Sequence, residues 1–319
     1  MTEDLETEPF ASMTFKYSIL KQNVLACFEL LHYYLVKLFT HNALLISGMV
    51  YYKKGKPIHN NWGDDLNVFL IEYLTNKRVF VCPDCFLTRK LHPRRYMVIG
   101  SILTFYPLDN AVILGSGIIN QNKISLLSGT PSDVKFVRGP LTMNALKNKG
   151  IACPPIFGDP AIILPLVYTP PPSYKNKRYR IGIVPHYLDM NLPIVKEILD
   201  VYGDDVVNIK MKGYDCWTDI VDLINCCDFV LSSSLHGIIV SEAYNIPVCW
   251  VYFQDYIEGW DFKFHDFYMS IKKTEINPVK ITNVNQVEGL YNSREKMRSN
   301  SDTAIDKLHL RNLLVESLK

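Results

Sequence analysis

The stretch Asp228-Phe-Val-Leu-Ser-Ser-Ser-Leu-His-Gly-Ile-Ile-Val-Ser-Glu-Ala-Tyr-Asn-Ile-Pro-Val248 organises the interpretation of the whole chain. Its apolar run Phe229 to Leu231 predicts a buried strand, and the residues from Leu235 to Tyr244 predict a helix. Three serines, Ser232 to Ser234, form the turn between them. Such a turn presents backbone N–H groups and the positive end of a helix, so the sequence predicts an anion site here.

His236 falls in the first turn of the predicted helix, where its side chain would lie against a bound anion. An imidazole can hold or release a proton near neutral pH, so this position favours proton transfer beside a phosphate. The alternative is that the serines only cap the helix and that His236 is an ordinary surface or core histidine.

Length and composition indicate a protein with room for two domains. The chain has 319 residues, of which 48% are hydrophobic and 21% are charged. Its formal net charge of +2 provides no basic stripe, so we do not expect a nucleic-acid partner. The acidic first residues lack the order of a signal peptide, so we expect a cytoplasmic protein.

The eight cysteines are scattered, apart from Cys82-Pro-Asp-Cys85 and the adjacent Cys226 and Cys227. A single Cys-x-x-Cys pair without a second pair of ligands is weak evidence for zinc. We therefore expect free thiols and no metal.

The segment Leu20 to Phe39 is apolar but is interrupted by polar residues such as Lys21, Glu29 and Lys37. We do not expect it to span a membrane. We expect a helix that docks on the protein through an apolar face. The alternative is an amphipathic helix, residues 18–40, that lies peripherally on the inner membrane face.

A strand-like run begins at Val50 to Tyr52, and the sequence Asn61-Trp-Gly-Asp-Asp-Leu-Asn67 follows it. This sequence predicts a helix from Leu66 to Leu74, with Asp64 or Asp65 as its N-cap. The functional alternative is that these carboxylates accept hydrogen bonds from sugar hydroxyls and that one of them acts as a base.

Two apolar runs each lead into a Gly-Ser sequence, as parallel strands do at a ligand crevice. They are Tyr96 to Ile102, which contains Gly100-Ser101, and Ala111 to Gly117, which ends in Gly115-Ser116-Gly117. Neither completes the dinucleotide fingerprint, so the sequence does not favour an NAD site.

Arg138 stands at the carboxyl end of the strand that Phe136 and Val137 close, and the residues from Leu141 to Lys149 predict the next helix. A guanidinium at this edge suits a phosphate or a carboxylate. The alternative is a salt bridge to a neighbouring acid. Asp159 precedes a proline and is expected to cap or brace its loop.

The stretch Thr169 to Arg178 is rich in proline and lysine and is predicted to be a linker. We therefore predict a helical segment at 1–45 and two Rossmann-like domains at 46–170 and 171–319. The next strand, Tyr179 to Val184, ends in Pro185-His186, which places His186 at a strand end. Further predicted elements are a helix at 192–201, a strand at 206–211, a helix at 218–225, a strand at 248–252 and a C-terminal helix.

This alternation predicts an α/β protein with two doubly wound Rossmann-like domains that face one another across a cleft. Ligands of such sheets lie beyond the carboxyl ends of the strands, where Arg138, His186 and the serine turn are placed.

Six motifs in this order resemble the polysaccharide pyruvyl transferase family, and most closely the ketal pyruvyl transferases that decorate exopolysaccharides such as xanthan and succinoglycan. The motifs are Asn61-Trp-Gly-Asp-Asp-Leu-Asn67, Gly115-Ser-Gly117, Val137-Arg-Gly-Pro-Leu-Thr142, Gly158-Asp-Pro-Ala-Ile-Ile-Leu164, Pro185-His186 and Ser232-Ser-Ser-Leu-His-Gly237.

The resemblance implies a fold like that of GT-B glycosyltransferases and the transfer of pyruvate from phosphoenolpyruvate to two hydroxyls of a sugar. It implies that Arg138 and His236 contact phosphoenolpyruvate and that His186 is a cleft residue. Many members carry arginine just before the Leu-His pair, where this chain has Ser234. Lys210 and Lys212 are our candidates for replacing that charge.

On this hypothesis His236 is the acid, Arg138 is the anion clamp, and the base is one of Asp64, Asp65 and His186. The expected partners are phosphoenolpyruvate and a sugar acceptor, with a lipid-linked oligosaccharide as one form of it, and no cofactor beyond the donor is expected. The substrate-binding candidates are Ser232, Ser233, Ser234, Leu235, Gly237, Asp65, Asn67, Gly115, Ser116 and Gly117.

Two other functions stay open at this point. One is a GT-B-type glycosyltransferase that uses a nucleotide sugar. The other is a non-catalytic sugar-binding subunit that keeps the same fold.

Overall fold

The computed structural model describes residues 8–53, 56–57, 59, 61–83, 85–175, 178–255, 261–298 and 304–319. Asp84 of the Cys-x-x-Cys pair and two residues of the predicted linker, Asn176 and Lys177, lie outside these ranges, as do the first seven residues of the predicted N-terminal segment.

Strands and helices alternate along most of the described chain. The strands are β1 (Ala43–Ser47), β2 (Tyr52–Lys53), β3 (Lys56–Pro57), β4 (Arg78–Val81), β5 (Arg95–Met97), β6 (Ala111–Leu114), β7 (Asp133–Phe136), β8 (Tyr179–Val184), β9 (Val206–Asn208), β10 (Cys227–Ser232), β11 (Val248–Tyr252) and β12 (Val279–Lys280). The helices are α1 (Glu8–Thr40), α2 (Trp62–Thr75), α3 (Phe86–Leu91), α4 (Pro140–Asn148), α5 (Pro193–Tyr202), α6 (Trp217–Asn225), α7 (Leu235–Ala243), α8 (Phe262–Ser270), α9 (Asn285–Asn292) and α10 (Lys307–Leu318).

Two five-stranded sheets, each with parallel pairing throughout, form the framework. The first has the order β4-β1-β5-β6-β7, and the second has the order β12-β11-β10-β8-β9. Numbered along the chain within each sheet, both follow one of the common doubly wound orders, with strands one and three as neighbours. The prediction of an α/β fold with two parallel sheets is confirmed.

This strand order fixes where a ligand is expected in each sheet. Doubly wound sheets bind ligands at the switch point, where connections leave neighbouring strands in opposite directions. The switch point lies between β1 and β5 in the first sheet and between β8 and β10 in the second. The carboxyl ends of β8 and β10 carry His186 and the serine turn.

Most predicted elements are present, and β8 and β11 have the predicted bounds. Strands β1 and β4 were not predicted. The strand expected from Val50 is instead the short hairpin arm β2, paired with β3. Strand β1 follows α1 after only the two residues His41 and Asn42, and this short interruption was not recognised as the end of the helix. The predicted boundary after residue 45 falls inside β1.

Helix α1 docks on the first sheet, as expected. Leu30 and Tyr33 are buried in a small cluster with Ala43 and Leu45 of β1. The opposite face of α1 is apolar and exposed: Phe28 is 64% exposed and Leu38 is 66% exposed. Within the part of the chain that the structure describes, no helix is long and apolar enough to cross a membrane.

The two halves of the chain share one hydrophobic cluster. The cluster contains Leu44 and Trp62 from the first half and Val230 and Ile239 from the second. The C-terminal helix α10 returns to the first half, where Leu318 O accepts a 2.8 Å hydrogen bond from Lys77 Nζ. Because buried side chains of this size each stabilise by about 1.5–3 kcal/mol, this continuous packing fixes the two sheets relative to each other.

Candidate active site

Helix α2 follows the hairpin of β2 and β3 and begins the site from the first half of the chain. Asn61 is its N-cap, and Asn61 Oδ1 accepts a 3.3 Å hydrogen bond from the N–H of Gly63. The prediction that Asp64 or Asp65 caps the helix is wrong, because the helix begins three residues earlier than Asp65. Both carboxylates instead lie in the first turn, where the helix dipole favours negative charge.

The two adjacent carboxylates of α2 have different surroundings. Asp65 is only 2% exposed, and its Oδ2 accepts a 2.6 Å hydrogen bond from the hydroxyl of Tyr214. Asp64 Oδ2 accepts a 2.6 Å hydrogen bond from Asn61 Nδ2. Burial raises the pKa of Asp64 to about 7, the charge of Asp65 adds to this, and the Asn61 bond and Lys263 oppose it. Asp64 is therefore a carboxyl that changes charge near neutral pH.

Two contacts fix the beginning of α2. The indole Nε1 of Trp62 donates to the carbonyl of Trp217 at 2.7 Å, which joins α2 to the start of α6. Asn67 is buried, and its side chain both accepts from the N–H of Ile99 (2.8 Å) and donates to the carbonyl of Ile99 (3.0 Å). Asn67, a candidate for substrate binding, thus holds the chain after β5 beside Asp64.

The beginnings of α2 and α7 meet at Gly63 and His236. A Cβ atom at position 63 would overlap the imidazole of His236, so only glycine allows this approach. His236 Nε2 is buried and has no hydrogen-bond partner among the residues that the structure describes. Two positive helix ends, one from each half of the chain, therefore face the same space.

The N–H groups of Ser233 and Ser234 in the serine turn already have acceptors within the protein, contrary to the expectation that they are available to a ligand. The N–H of Ser233 donates to Val184 O (3.1 Å), and the N–H of Ser234 donates to Ser232 Oγ (3.1 Å). The hydroxyl of Ser233 donates to Asp189 Oδ2 (2.6 Å). Beyond this turn, the N–H groups of Leu235, His236 and Gly237 in the first turn of α7 have no acceptor among the described residues. The Leu235 side chain, a candidate for substrate binding, is buried in the core.

Two histidines stand at the carboxyl edge of the second sheet. The N–H of His186 donates to Ser233 Oγ at 2.8 Å, which joins the ends of β8 and β10. Burial, and then the charge of Lys263, lower the pKa of His186 to about 4. Burial, Lys263 and Arg138 lower the pKa of His236 to about 3. Both imidazoles are therefore neutral at pH 7 in the free protein.

Arg138 is fully buried in an ion pair with Asp266 of α8. Its Nε and Nη2 both lie 3.0 Å from Asp266 Oδ2, while Nη1 donates to Ser101 Oγ at 2.5 Å. The salt bridge that the sequence left open as an alternative is present. Its guanidinium lies where a Cβ on Gly117 would be, so Arg138 is beside both predicted glycine junctions. The neighbouring Ser116 Oγ is buried with no partner among the described residues.

Lys263 of α8 is the site residue that the sequence did not reveal. Its charge acts on Asp64, His186 and His236, which come from both halves of the chain. Burial and the nearby Arg138 lower the pKa of Lys263 to about 8, and Asp64 opposes this. Lys210 and Lys212, our candidates for an additional cation, are both exposed.

The described residues do not contain a cluster of three or more His, Cys, Asp or Glu side chains that could hold a metal ion. Cys82 and Cys85, the pair considered for zinc, are both buried, and the N–H of Cys85 donates to Thr88 Oγ1 (3.1 Å) at the start of α3. The site is therefore built from a carboxyl, two neutral imidazoles, two cations and two helix ends.

The family model of polysaccharide pyruvyl transferases matches residues 28–255 of this chain. The chain belongs to this family. The match begins within α1 and contains both switch points. Asp64, Arg138, His186 and His236 all lie inside it.

Two curated proteins with similar sequences accompany this family match. A protein of Acanthamoeba polyphaga mimivirus described as uncharacterized is 33% identical over 216 residues, which cover 65% of this chain and 69% of that protein. The succinoglycan biosynthesis protein ExoV of Rhizobium meliloti (strain 1021) is 25% identical over 197 residues, which cover 59% of this chain and 55% of that protein. The chain thus spans about half the length of the succinoglycan protein.

The family match ends before α8, so it includes neither Lys263 nor Asp266. Helix α8 of this polysaccharide pyruvyl transferase carries the acid that holds Arg138, and a lysine whose charge acts on the site. No motif in the sequence marks either residue; Asp266 is held here by Arg138 and Thr142, and Lys263 precedes it by three residues on α8.

Proposed function

We propose that this protein transfers pyruvate from phosphoenolpyruvate to two hydroxyls of a sugar in a cell-surface polysaccharide or its lipid-linked precursor. The products are a ketal and phosphate. The observation that carries this proposal is the contact between the beginnings of α2 and α7, from the switch points of the two sheets, where a Cβ on Gly63 would overlap the His236 imidazole and Asp64 follows Gly63 in the first turn of α2. The family supports pyruvyl transfer to a polysaccharide acceptor.

Donor binding is the first role of this site. Phosphoenolpyruvate carries a phosphate and a carboxylate, and the site offers the N–H groups of Leu235, His236 and Gly237 at the start of α7. Lys263 and Arg138 add positive charge, and the second helix end is that of α2. We place the phosphate at the α7 end, because its first-turn N–H groups have no acceptor within the described structure.

His236 is our candidate for the group that protonates the donor. The methylene carbon of phosphoenolpyruvate takes up a proton, and the neighbouring carbon becomes open to attack by a hydroxyl. Positive neighbours and burial keep His236 neutral in the free protein, with a pKa of about 3. A bound anion raises the pKa of a nearby imidazole, so the donor itself promotes the protonated form that the reaction needs.

Asp64 is our candidate for the base that accepts the hydroxyl protons. Its pKa of about 7 means that an ionised fraction is present at neutral pH and that this carboxylate is more basic than an exposed one. One hydroxyl oxygen attacks the central carbon and loses its proton, phosphate departs, and the second hydroxyl closes the ketal and loses its proton. Of the two protons released, one balances the proton added to the methylene carbon, and the other leaves on phosphate. His186 stays the second candidate for the base.

We further propose that the two sheets form a GT-B-like pair of domains, with the acceptor sugar on the side of residues 46–170 and the donor on the side of 171–319. The proton and charge balance above requires no cofactor besides the donor. A cytoplasmic enzyme with a peripheral membrane contact through residues 18–40 fits a lipid-linked acceptor, and the exposed apolar face of α1 supports that contact.

Incubation with phosphoenolpyruvate and a panel of lipid-linked and synthetic glycosides tests the proposal. We expect release of phosphate that depends on the acceptor, together with the mass gain of a carboxyethylidene group on the sugar. A thermal-shift screen separates the alternatives. Stabilisation by a nucleoside diphosphate and none by phosphoenolpyruvate would instead indicate a glycosyltransferase. Sugar binding without turnover would indicate a non-catalytic subunit.

A further inference from the structure

Two loops of the first half of the chain meet at the switch point between β1 and β5. They are residues 48–51, which follow β1, and residues 98–110, which follow β5. The hydroxyl of Tyr106 donates to Gly48 O at 3.1 Å, so the second loop is bonded directly to the first. Ligands of doubly wound sheets bind at such a switch point, so both loops are placed where a substrate is expected.

Both loops adjoin the part of α2 that carries Asp64. A Cβ on Gly100 would lie 3.5 Å from Asp64 Oδ1. A Cβ on Gly48 would lie 3.8 Å from Asn67 Nδ2, which donates to the carbonyl of Asp64 at 3.0 Å. The backbone of the second loop is therefore next to the proposed base, and that of the first loop is next to the residue that holds it.

Each loop carries one large aromatic side chain that is exposed. Tyr51 is 50% exposed and Phe105 is 44% exposed. The sulfur of Met49 lies 3.9 Å from the Tyr51 hydroxyl and 3.6 Å from the Tyr106 hydroxyl, which ties Tyr51 to the junction of the loops. Phe105 precedes Tyr106 and ends a tight turn, in which its N–H donates to Ile102 O at 3.0 Å. Both rings thus stand on loops whose backbone is held in place.

The chemistry of this surface fits a neutral sugar ring. A pyranose has C–H groups on its faces and hydroxyls around its edge, so a face packs on an aromatic ring while the edge takes hydrogen bonds. Aromatic side chains with a few polar groups are the usual lining of a site for a small organic ligand. Residues 48–51 and 98–108 contain no charged side chain, so this surface favours a neutral ligand over the anionic donor.

We propose that Tyr51 and Phe105 form a subsite that binds the pyranose ring of the acceptor and presents its hydroxyls to Asp64. This inference rests on the proposed function, because it takes the ligand to be a sugar of the polysaccharide on which the family acts. Both residues lie outside the six motifs of the sequence. They therefore contribute to the choice of acceptor, whereas the donor binds at the beginning of α7.

Saturation-transfer NMR on the full chain with methyl glycosides of glucose, galactose and mannose tests the subsite without requiring turnover. We expect at least one glycoside to receive saturation at its ring C–H protons. Phe105→Ala and Tyr51→Ala should each weaken its binding by about 3- to 10-fold, the range for one aromatic contact. The control Tyr73→Ala removes an exposed tyrosine in the last turn of α2, about 13 Å along the helix from Asp64, and should bind as the wild type does.

Leucine variants separate sugar binding from packing. Phe105→Leu and Tyr51→Leu remove the flat ring but keep an apolar side chain, so they should also weaken binding of the glycoside. Because both positions are exposed, all four variants should unfold thermally as the wild type does. Their affinity for phosphoenolpyruvate, measured by titration calorimetry, should be unchanged. Leucine variants that bind the glycoside as the wild type does, or variants that lose donor affinity as well, would overturn the subsite.

The outcomes also separate this inference from the proposed function. If the wild type forms a ketal on a glycoside and the Tyr51 and Phe105 variants keep its KM for that glycoside, the subsite is overturned and the function stands. If the wild type binds a glycoside and the variants bind it more weakly, but no ketal forms with phosphoenolpyruvate, the subsite stands and pyruvyl transfer fails. Absence of glycoside binding by the wild type would overturn the subsite.

Discussion

Replacement of Asp266 by alanine should destabilise the protein far more than a typical surface substitution. Asp266 and Arg138 both have side chains that are 0% exposed, and the carboxylate accepts hydrogen bonds from Arg138 and from Thr142. Removal of one partner of a buried pair leaves the other charge uncompensated and costs about 3–5 kcal/mol. The loss of the N-terminal cap of α4 costs about 1 kcal/mol more. We therefore expect a loss of about 4–6 kcal/mol in the free energy of unfolding.

Urea denaturation followed by circular dichroism measures this change, and the matching fall in Tm should be on the order of 5–10 °C for a chain of this size. The control is Asp133→Asn, which removes one partner of the exposed pair with Lys135. Exposed pairs contribute little, so this control should unfold as the wild type does.

A double variant separates the structural role of Arg138 from its proposed role in binding. Arg138→Met combined with Asp266→Leu removes both charges, so no buried charge is left unpaired. We expect its free energy of unfolding to lie within about 2 kcal/mol of the wild type, with the remaining cost at the α4 cap. Donor binding should nevertheless be weak. A free energy of unfolding for Asp266→Ala within about 1 kcal/mol of the wild type would refute this account of the pair.

Four further predictions concern the reaction and the contacts that support it. His236→Gln should lower phosphate release by about 100-fold or more, the usual contribution of an acid or base, and retained turnover with an acceptor sugar would remove His236 as the acid. For the wild type, kcat/KM should rise with pH through about 7, because Asp64 must lose its proton to act as a base. Asp64→Asn should abolish this rise, and an unchanged pH profile in that variant would assign the base elsewhere. Gly63→Ala should reduce activity strongly, because the added Cβ would displace the His236 imidazole. The control Gly289→Ala on α9 should leave activity unchanged, because a Cβ there meets no atom within 4 Å. Leu314→Ala in α10 should lower the free energy of unfolding by about 2–5 kcal/mol, as measured by urea denaturation, because Leu314 is fully buried against the first half of the chain. A smaller loss would mean that α10 is not firmly docked.

The second half of the fold was accessible from the sequence because its strands are short apolar runs that end at Pro, Ser or Gly. Strand β8 is followed by Pro185 and β10 ends in the serine turn, so the apolar pattern and the turn-forming residues indicate the same strand ends. Strand β1 also ends at Ser47 and Gly48, but it follows α1 after only two residues, so its beginning was not distinguished from the apolar helix. Its place in the sheet depends on pairing with β4 and β5, which local sequence does not encode.

The site was predictable where function depends on a local motif and not where it depends on distant packing. The serine turn and His236 are contiguous, and the structure places His236 against the beginning of α2. The partner of Arg138 is Asp266, 128 residues away, so the sequence could only leave a salt bridge open. Lys263 belongs to a helix with no recognisable motif. The N-cap was misassigned because Asn61 precedes a Trp-Gly pair that resembles a turn, although the helix already includes Gly63.

A crystal structure of the full chain with bound phosphoenolpyruvate tests the central claim most directly. The account predicts the donor phosphate within hydrogen-bonding distance of the N–H groups at the start of α7, with His236 facing its methylene carbon. Density for the donor at any position away from the beginnings of α2 and α7 would contradict it.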